Sequence, residues 1–307
     1  TMKIGFFDDF QLGVVKGENI VDLGPLLEDI HVHQPQELIA GIIESWDENK
    51  EAIAEYVAAN EGVPLTSVRI RPPLPRPDKI ICMAVNYLEF GAREMPTINA
   101  FIKSSDSVIG SGDTLVLPPA KANIFHHEAE LGVVIGKEAT NVSAANAYDY
   151  IFGYVNFIDG SARGLGNGSF FWGKSWDTFG PMGPCVVTGD EIPDPQNMAV
   201  KLWVNGDLRQ DFPTSDMAHK IDKCVEWCSS VTTLEPGDII TTGTNHQGLG
   251  AMQDGDVIEM ETEGLERLMF NVRDDLKREW PHGIDQATAD RVAGRSTTGG
   301  FGEPASR

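Results

Sequence analysis

A strand-rich α+β fold with a small N-terminal domain is what the sequence predicts, and three observations predict it. Short apolar runs bounded by turn clusters outnumber stripes at helical spacing. No regular β–α–β alternation runs along the chain, which argues against a doubly wound sheet. A run from Arg71 to Pro77 with four prolines separates a chemistry-poor beginning from a motif-rich remainder. The 307 residues allow about two domains at roughly 150 residues each. The expected division is 1–70 as a small α+β domain, 71–78 as a stiff extended linker, 79–280 as the main domain and 281–307 as a tail.

The elements follow in order. Residues 2–7 and 11–16 read as two short strands about a turn at Asp8–Phe10, with Ile20–Leu23 as a third. Pro35 opens a helix whose Leu38, Ile39, Ile42, Ile43 and Trp46 recur at three- and four-residue spacing, and Glu51–Ala59 continues it. Past the prolines, Ile80–Val85 and Glu128–Ile135 are apolar strand runs. Asn205-Gly206 marks a hairpin inside Val200–Asp211. Thr214–Cys228 reads as a helix with Met217, Ile221, Cys224, Val225 and Cys228 on one stripe. Turn clusters at Glu235–Asp238 and Gln253–Asp256 precede strands Ile239–Thr242 and Val257–Met260. After Trp280 glycine and proline increase and large apolar groups thin out, which predicts a tail either loose or draped on a partner subunit.

Charge narrows the function. With 46 acidic and 24 basic residues the net charge is −22, which excludes a nucleic-acid binder and argues against anionic lipid. No apolar run reaches the roughly 18 residues of a membrane span, and the N-terminus lacks a signal-peptide run. The expected setting is the cytoplasm. Cys82, Cys185, Cys224 and Cys228 have no CxxC spacing and are expected to be buried and reduced. Gly168 to Ser175 matches a phosphate-loop pattern letter for letter. Three aromatics fill that loop, however, and the Gly- and Pro-rich continuation to Pro184 cannot be the helix that should follow. Nucleotide hydrolysis is therefore set aside.

Chemistry concentrates around Glu128-Ala-Glu130. Strand alternation points both carboxylates to one side, roughly 7 Å apart, with Ala129, Leu131, Val133 and Ile135 on the other. Two such carboxylates repel and are costly to desolvate. A hard cation between them, Mg²⁺, Mn²⁺ or Ca²⁺ rather than zinc, would resolve both problems. A solvated outer face of an edge strand fits the segment as well. Asp159, at the end of the apolar run Val155–Ile158 and before a glycine-rich loop, adds a third carboxylate and favours the metal site.

At this point the run from about Lys79 to Asn271 resembles the fumarylacetoacetate hydrolase family, close in style to its acylpyruvase members. The matching pieces keep the family's order: Asn86-Tyr87, Phe101-Ile-Lys103, His127-Glu-Ala-Glu-Leu131 with Val134-Ile-Gly-Lys137, Asp159-Gly-Ser-Ala-Arg163, Gly173-Lys-Ser175 with Gly183-Pro184, Val204-Asn-Gly206, and Pro236-Gly-Asp238 leading to Thr242-Gly-Thr244. The resemblance implies a mixed β-roll, commonly a homodimer. It implies Glu128, Glu130 and Asp159 as ligands of Mg²⁺ or Mn²⁺, with Ca²⁺ also fitting, and Lys174 as the lysine beside the metal. It places Tyr87, Lys103, Arg163 and Thr244 near the substrate. That substrate would be a small anionic 2-oxo or 1,3-dicarbonyl acid, such as an acylpyruvate from aromatic catabolism, cleaved at a C–C bond.

The chain departs from the family at the base. A histidine is expected shortly after Asn86-Tyr87, where this chain has Phe90 or Gly91; Glu94 matches the glutamate that accompanies it. Ser161-Ala-Arg163 continues with Gly164-Leu165-Gly166 where the family has polar groups. After Thr244 the chain has Asn245-His246-Gln247 where a proline is usual. Glu94 alone is one candidate base. His246 is another, either as a replacement imidazole or as a plain loop histidine. His127 falls on the far side of the strand and reads as structural. The alternative to hydrolysis is hydration, dehydration, tautomerisation or decarboxylation of a 2-oxo acid, reactions that share enolisation at the metal.

Overall fold

The computed structural model describes residues 2–165 and 168–295. Its architecture is the strand-rich α+β one expected: a 12-stranded mixed sheet, a five-stranded sheet and a two-stranded ribbon. The hairpin Lys3–Phe7 and Gln11–Lys16 closes through Asp8 (φ +45°) and Phe10 (φ +60°), and Asn19–Asp22 adds a third strand. Lys3–Phe7 also pairs antiparallel with Gly180–Thr188, Lys3 opposite Val187. One sheet therefore runs on both sides of the proline segment 71–78.

The long helical stretch after Pro35 divides into α1 (Pro35–Glu44) and α2 (Trp46–Ala59). Ser45 interrupts it, its hydroxyl donating back to the Gly41 carbonyl at 2.7 Å. Ile39, Ile42, Ile43 and Ile53 pack with Ile4, Phe6, Val155 and Ile239 in one core, while Leu131, Val133, Tyr154 and Ile240 enter another. Consecutive residues such as Val133 and Val134 enter different cores, as strand alternation requires.

Strand Ala129–Ile135 is buried throughout and lies between Ile151–Ile158 and Ile239–Thr241. It is a central strand, which removes the solvated-edge reading of Glu128 and Glu130. The phosphate-loop-like run ends in one helical turn, α3 (Phe170–Lys174); Gly166 and Asn167 lie outside the described residues.

The helix expected from Thr214 begins later. Thr214–Asp216 is a 3₁₀ turn, and α4 runs Ile221–Val231. Met217 is held extended by a bridge to Tyr87, and the Asp216 carboxylate is drawn off to the Phe90 amide and the Asn245 side chain. The tail corrects its expectation more sharply. Over the described residues to 295 it is not loose but folded onto its own chain. Helix α5 (Gln286–Val292) packs on the 3₁₀ turn His246–Gly248, and the Asp285 amide donates to the Leu249 carbonyl at 2.7 Å. All four cysteines are buried and free. Among the described residues no helix is long and apolar enough to cross a membrane.

Candidate metal centre and acid–base pair

The central strand carries Glu130, with Glu128 just before it, and Asp159 follows the neighbouring strand Ile151–Ile158. The Asp159 amide donates to the Glu128 carbonyl at 3.0 Å and pins the two strand ends together. One carboxylate oxygen from each of Glu128, Glu130 and Asp159 lies within 4.8 Å of the others, and all three residues are buried. Three cationic groups surround them. The Lys174 ammonium donates to Glu128 Oε2 at 2.5 Å and Asp159 Oδ2 at 2.6 Å. Lys103 donates to Asp159 Oδ1 at 2.8 Å and also reaches the Lys174 carbonyl. Arg163 pairs with Glu128.

Burial pushes the Asp159 carboxyl up, but Lys103 and Lys174 overturn that and hold it below the usual range. Glu130 has no ion pair among the described residues, and its carboxylate accepts the Gly243 amide at 3.0 Å. Burial, then the Asp159 charge, pushes it up to about 7. The donor set is all oxygen, the Lys174 ammonium stands between two of the carboxylates as a cation would, and the third is short of positive charge. These residues fit a hard divalent cation.

A cavity of about 50 Å³ opens over the three carboxylates, lined also by Arg163, Lys174, Thr244 and His246 and walled by Val85, Phe101 and Phe170. Phe101 and Phe170 stack at 4.5 Å with planes 4° apart. The Thr244 hydroxyl accepts from Gln210 Nε2 at 2.8 Å. Lys103, expected near the substrate, is fully buried behind Asp159 instead. Tyr87 lies in the core with its ring edge-on to Phe212 at 5.0 Å and does not line the cavity. Glu94 is on the surface, away from the cavity.

The carboxylate that meets the His246 imidazole is Glu89, which the sequence reading passed over. Glu89 is 1 % exposed and accepts from His246 Nδ1 at 2.7 Å, from the His246 amide at 3.0 Å and from Gln247 Nε2 at 2.7 Å. Glu89, Phe90 and Gly91 all have positive φ (+55°, +57°, +79°). Two non-glycine residues in succession there are strained. The Asp216 carboxylate holds the turn by accepting the Phe90 amide at 3.2 Å. The turn swings Glu89 inward and leaves Phe90, at the histidine's expected place, 57 % exposed. Burial lowers the His246 pKa against the opposing hydrogen bond to Glu89, so the ring is neutral near pH 7. Burial would raise Glu89, but its bonds to His246 and Gln247 keep it below its ordinary value. Among the described residues His246 Nε2 makes no hydrogen bond. A neutral imidazole oriented through Nδ1 by a carboxylate is a base with one open nitrogen.

A family model described as fumarylacetoacetate hydrolase C-terminal matches residues 79–273. The maleylpyruvate hydrolase of Sphingobium sp. SYK-6, solved in complex with manganese(II) and pyruvate, is 34 % identical, with a TM-score of 0.82 over 89 % of this chain and 99 % of that one. The maleylpyruvate hydrolase of Aquipseudomonas alcaligenes is 31 % identical over 289 residues, 89 % of this chain and 99 % of its own. The mitochondrial oxaloacetate tautomerase Fahd2a of Rattus norvegicus is 36 % identical over 217 residues, 66 % of this chain and 69 % of that protein. The matched span takes in the three-carboxylate centre, Lys174 and the Glu89–His246 pair, and this chain belongs to the fumarylacetoacetate hydrolase family.

Proposed function

We propose that the chain is a divalent-metal-dependent hydrolase that cleaves a C–C bond in an acylpyruvate or a fumarylacetoacetate-like 1,3-dicarbonyl acid. The observation that carries this reading is the Glu89–His246 pair at the rim of the carboxylate cavity, which restores a base where Phe90 has removed the family's histidine. Glu128, Glu130 and Asp159 would hold the cation. When bound, it polarises a carbonyl and offsets the charge of a leaving enolate.

The remaining work falls to side chains. His246 Nε2 takes a proton from water while Glu89 holds the ring by Nδ1 and stabilises the imidazolium. Lys174 and Arg163 present positive charge to the acid's carboxylate and to developing oxyanion charge. Thr244 offers its hydroxyl to the substrate, and Phe101 and Phe170 shield the acyl end from water. Lys103 acts indirectly, by fixing Asp159.

The same pair also suits a second reading, proton movement at C3 of a 2-oxo acid in a tautomerase, hydratase, dehydratase or decarboxylase. The loss of the histidine at 90 or 91 favours it, since water activation is then not served by the family's usual group. The test is turnover. Protein stripped with chelator and restored with Mn²⁺ is offered acetylpyruvate, maleylpyruvate, benzoylpyruvate and oxaloacetate, with substrate and both fragments followed. Metal-dependent release of pyruvate with a second acid supports the hydrolase. Substrate loss with a single organic product, with or without CO₂, supports the second reading.

A further inference from the structure

The matched family span ends at residue 273, yet the chain beyond it reaches the metal centre. Asp285 Oδ2 accepts from His126 Nε2 at 2.9 Å, and its side chain is only 7 % exposed. His126, fully buried, receives Arg163 Nε on its other nitrogen at 3.3 Å. Arg163 in turn pairs with Glu128. Since arginine only donates, Nδ1 of His126 is the accepting nitrogen and Nε2 carries the hydrogen given to Asp285. In the row Asp285–His126–Arg163–Glu128 every bond therefore has a fixed donor: Arg163 donates to both Glu128 and His126, and His126 donates on to Asp285. The same segment touches the other half of the site. Gln247, a partner of Glu89, donates to the Ala289 carbonyl at 3.3 Å and accepts from Arg295 at 2.5 Å.

We propose that Asp285 is a positioning residue for the metal centre: through the His126 ring and the Arg163 guanidinium it fixes the carboxylate of Glu128, so that segment 281–295 completes the site. A guanidinium released from His126, with its side chain 16 % exposed, has other rotamers open to it, and Glu128 would then lose the Arg163 bond to its Oε1. Groups behind metal ligands act in this way, and their loss typically costs about 10- to 100-fold in metal affinity. This inference rests on the metal centre and not on the choice of reaction.

The test is Mn²⁺ affinity of the full chain, measured by titration calorimetry on chelator-stripped protein, with circular dichroism as the check on folding. Asp285→Ser keeps an oxygen to cap α5 but is too short to reach His126; it should weaken Mn²⁺ about tenfold or more. Asp285→Asn keeps one acceptor oxygen for His126 without the charge, its amide nitrogen taking the place of the oxygen that caps Thr288, and should stay within about threefold of the parent, separating the hydrogen bond from simple electrostatics. Gln286→Ala, on the exposed side of the same helix, should change nothing. A folded Asp285→Ser protein that binds Mn²⁺ as the parent does overturns the relay. A parent that takes up no Mn²⁺ overturns the metal centre and the relay with it.

Should Asp285→Ser fail to fold, Arg163→Lys breaks the row with α5 intact, because a lysine cannot hold Glu128 and His126 together. His126→Asn, which parts Asp285 from Arg163 and leaves the α5 cap in place, should weaken Mn²⁺ about tenfold or more by itself and add no further loss in the Arg163→Lys background; independent, additive losses would overturn the proposal.

Discussion

His246 and Glu89 are 157 positions apart in sequence, and what joins them is a turn of unfavourable backbone geometry. That pairing fixes how activity should depend on pH. His246 is displaced below the ordinary imidazole value of 6.5, burial outweighing Glu89. The base form therefore persists through neutrality, and kcat/KM should stay level from pH 8 downward and fall only below pH 6.5. An acid limb at or above pH 7 would exclude His246 as the titrating base. Replacing it by glutamine should lower kcat about 100-fold or more while leaving Mn²⁺ affinity unchanged. Glu89→Gln removes a group that raises the His246 pKa, so its acid limb should move to lower pH as kcat drops; movement the other way would break the pair. His246 was legible in the sequence as a candidate base, but its partner Glu89 was not. Glu94 carries the right spacing from Asn86-Tyr87, and the left-handed φ values of Glu89 and Phe90 leave no mark in residue type.

Strands explain why the carboxylates were easier to find. Ala129–Ile135 announces itself by alternation, although its place between two neighbours showed only in the fold. Asp159 was found from the apolar run of the strand before it. The tight packing of that strand supplies a test. At Gly153 an added Cβ would lie 2.2 Å from the Val187 carbonyl oxygen, a backbone atom that cannot yield. Gly153→Ala should therefore destabilise the protein by about 1–3 kcal/mol or more, read as a lower melting temperature. Because Asp159 ends this strand, Mn²⁺ binding should weaken in parallel. An unchanged melting temperature would mean that the sheet yields there. Helices were read less well. Met217 fits a helical stripe, but its bridge to Tyr87 and the bonds of Asp216 to Phe90 and Asn245 outweigh local preference. Helix α5 is too short, at seven residues, to show a period.

Across the whole molecule, the order of seven motif pieces made the family legible, whereas the contribution of residues after 273 was not, since it depends on one carboxylate reaching back 159 positions to His126. Two properties of the entire chain are measurable. A ligand that binds only the folded state stabilises it by about 2.7 kcal/mol at 100 times its Kd. Mn²⁺ should thus raise the melting temperature by several degrees, and chelator should reverse the gain; a zero shift at saturating Mn²⁺ would count against the centre. The net charge of −22 opposes compaction. Raising NaCl from about 10 mM to about 150 mM shortens the screening length from roughly 30 Å to 8 Å and should raise the melting temperature of the stripped protein. A fall would show that favourable ion pairs outweigh the repulsion.

Lys174 already sits between Glu128 and Asp159, so the chain carries its own counter-ion in reserve. Loading the centre would then exchange one positive charge for another rather than fill a hole, and a lysine tethered by α3 would give way to a cation held by Glu128 and Asp159 and return to them on its removal. The stripped protein should survive as a folded reservoir, and repeated cycles of chelation and reloading should restore the same protein each time.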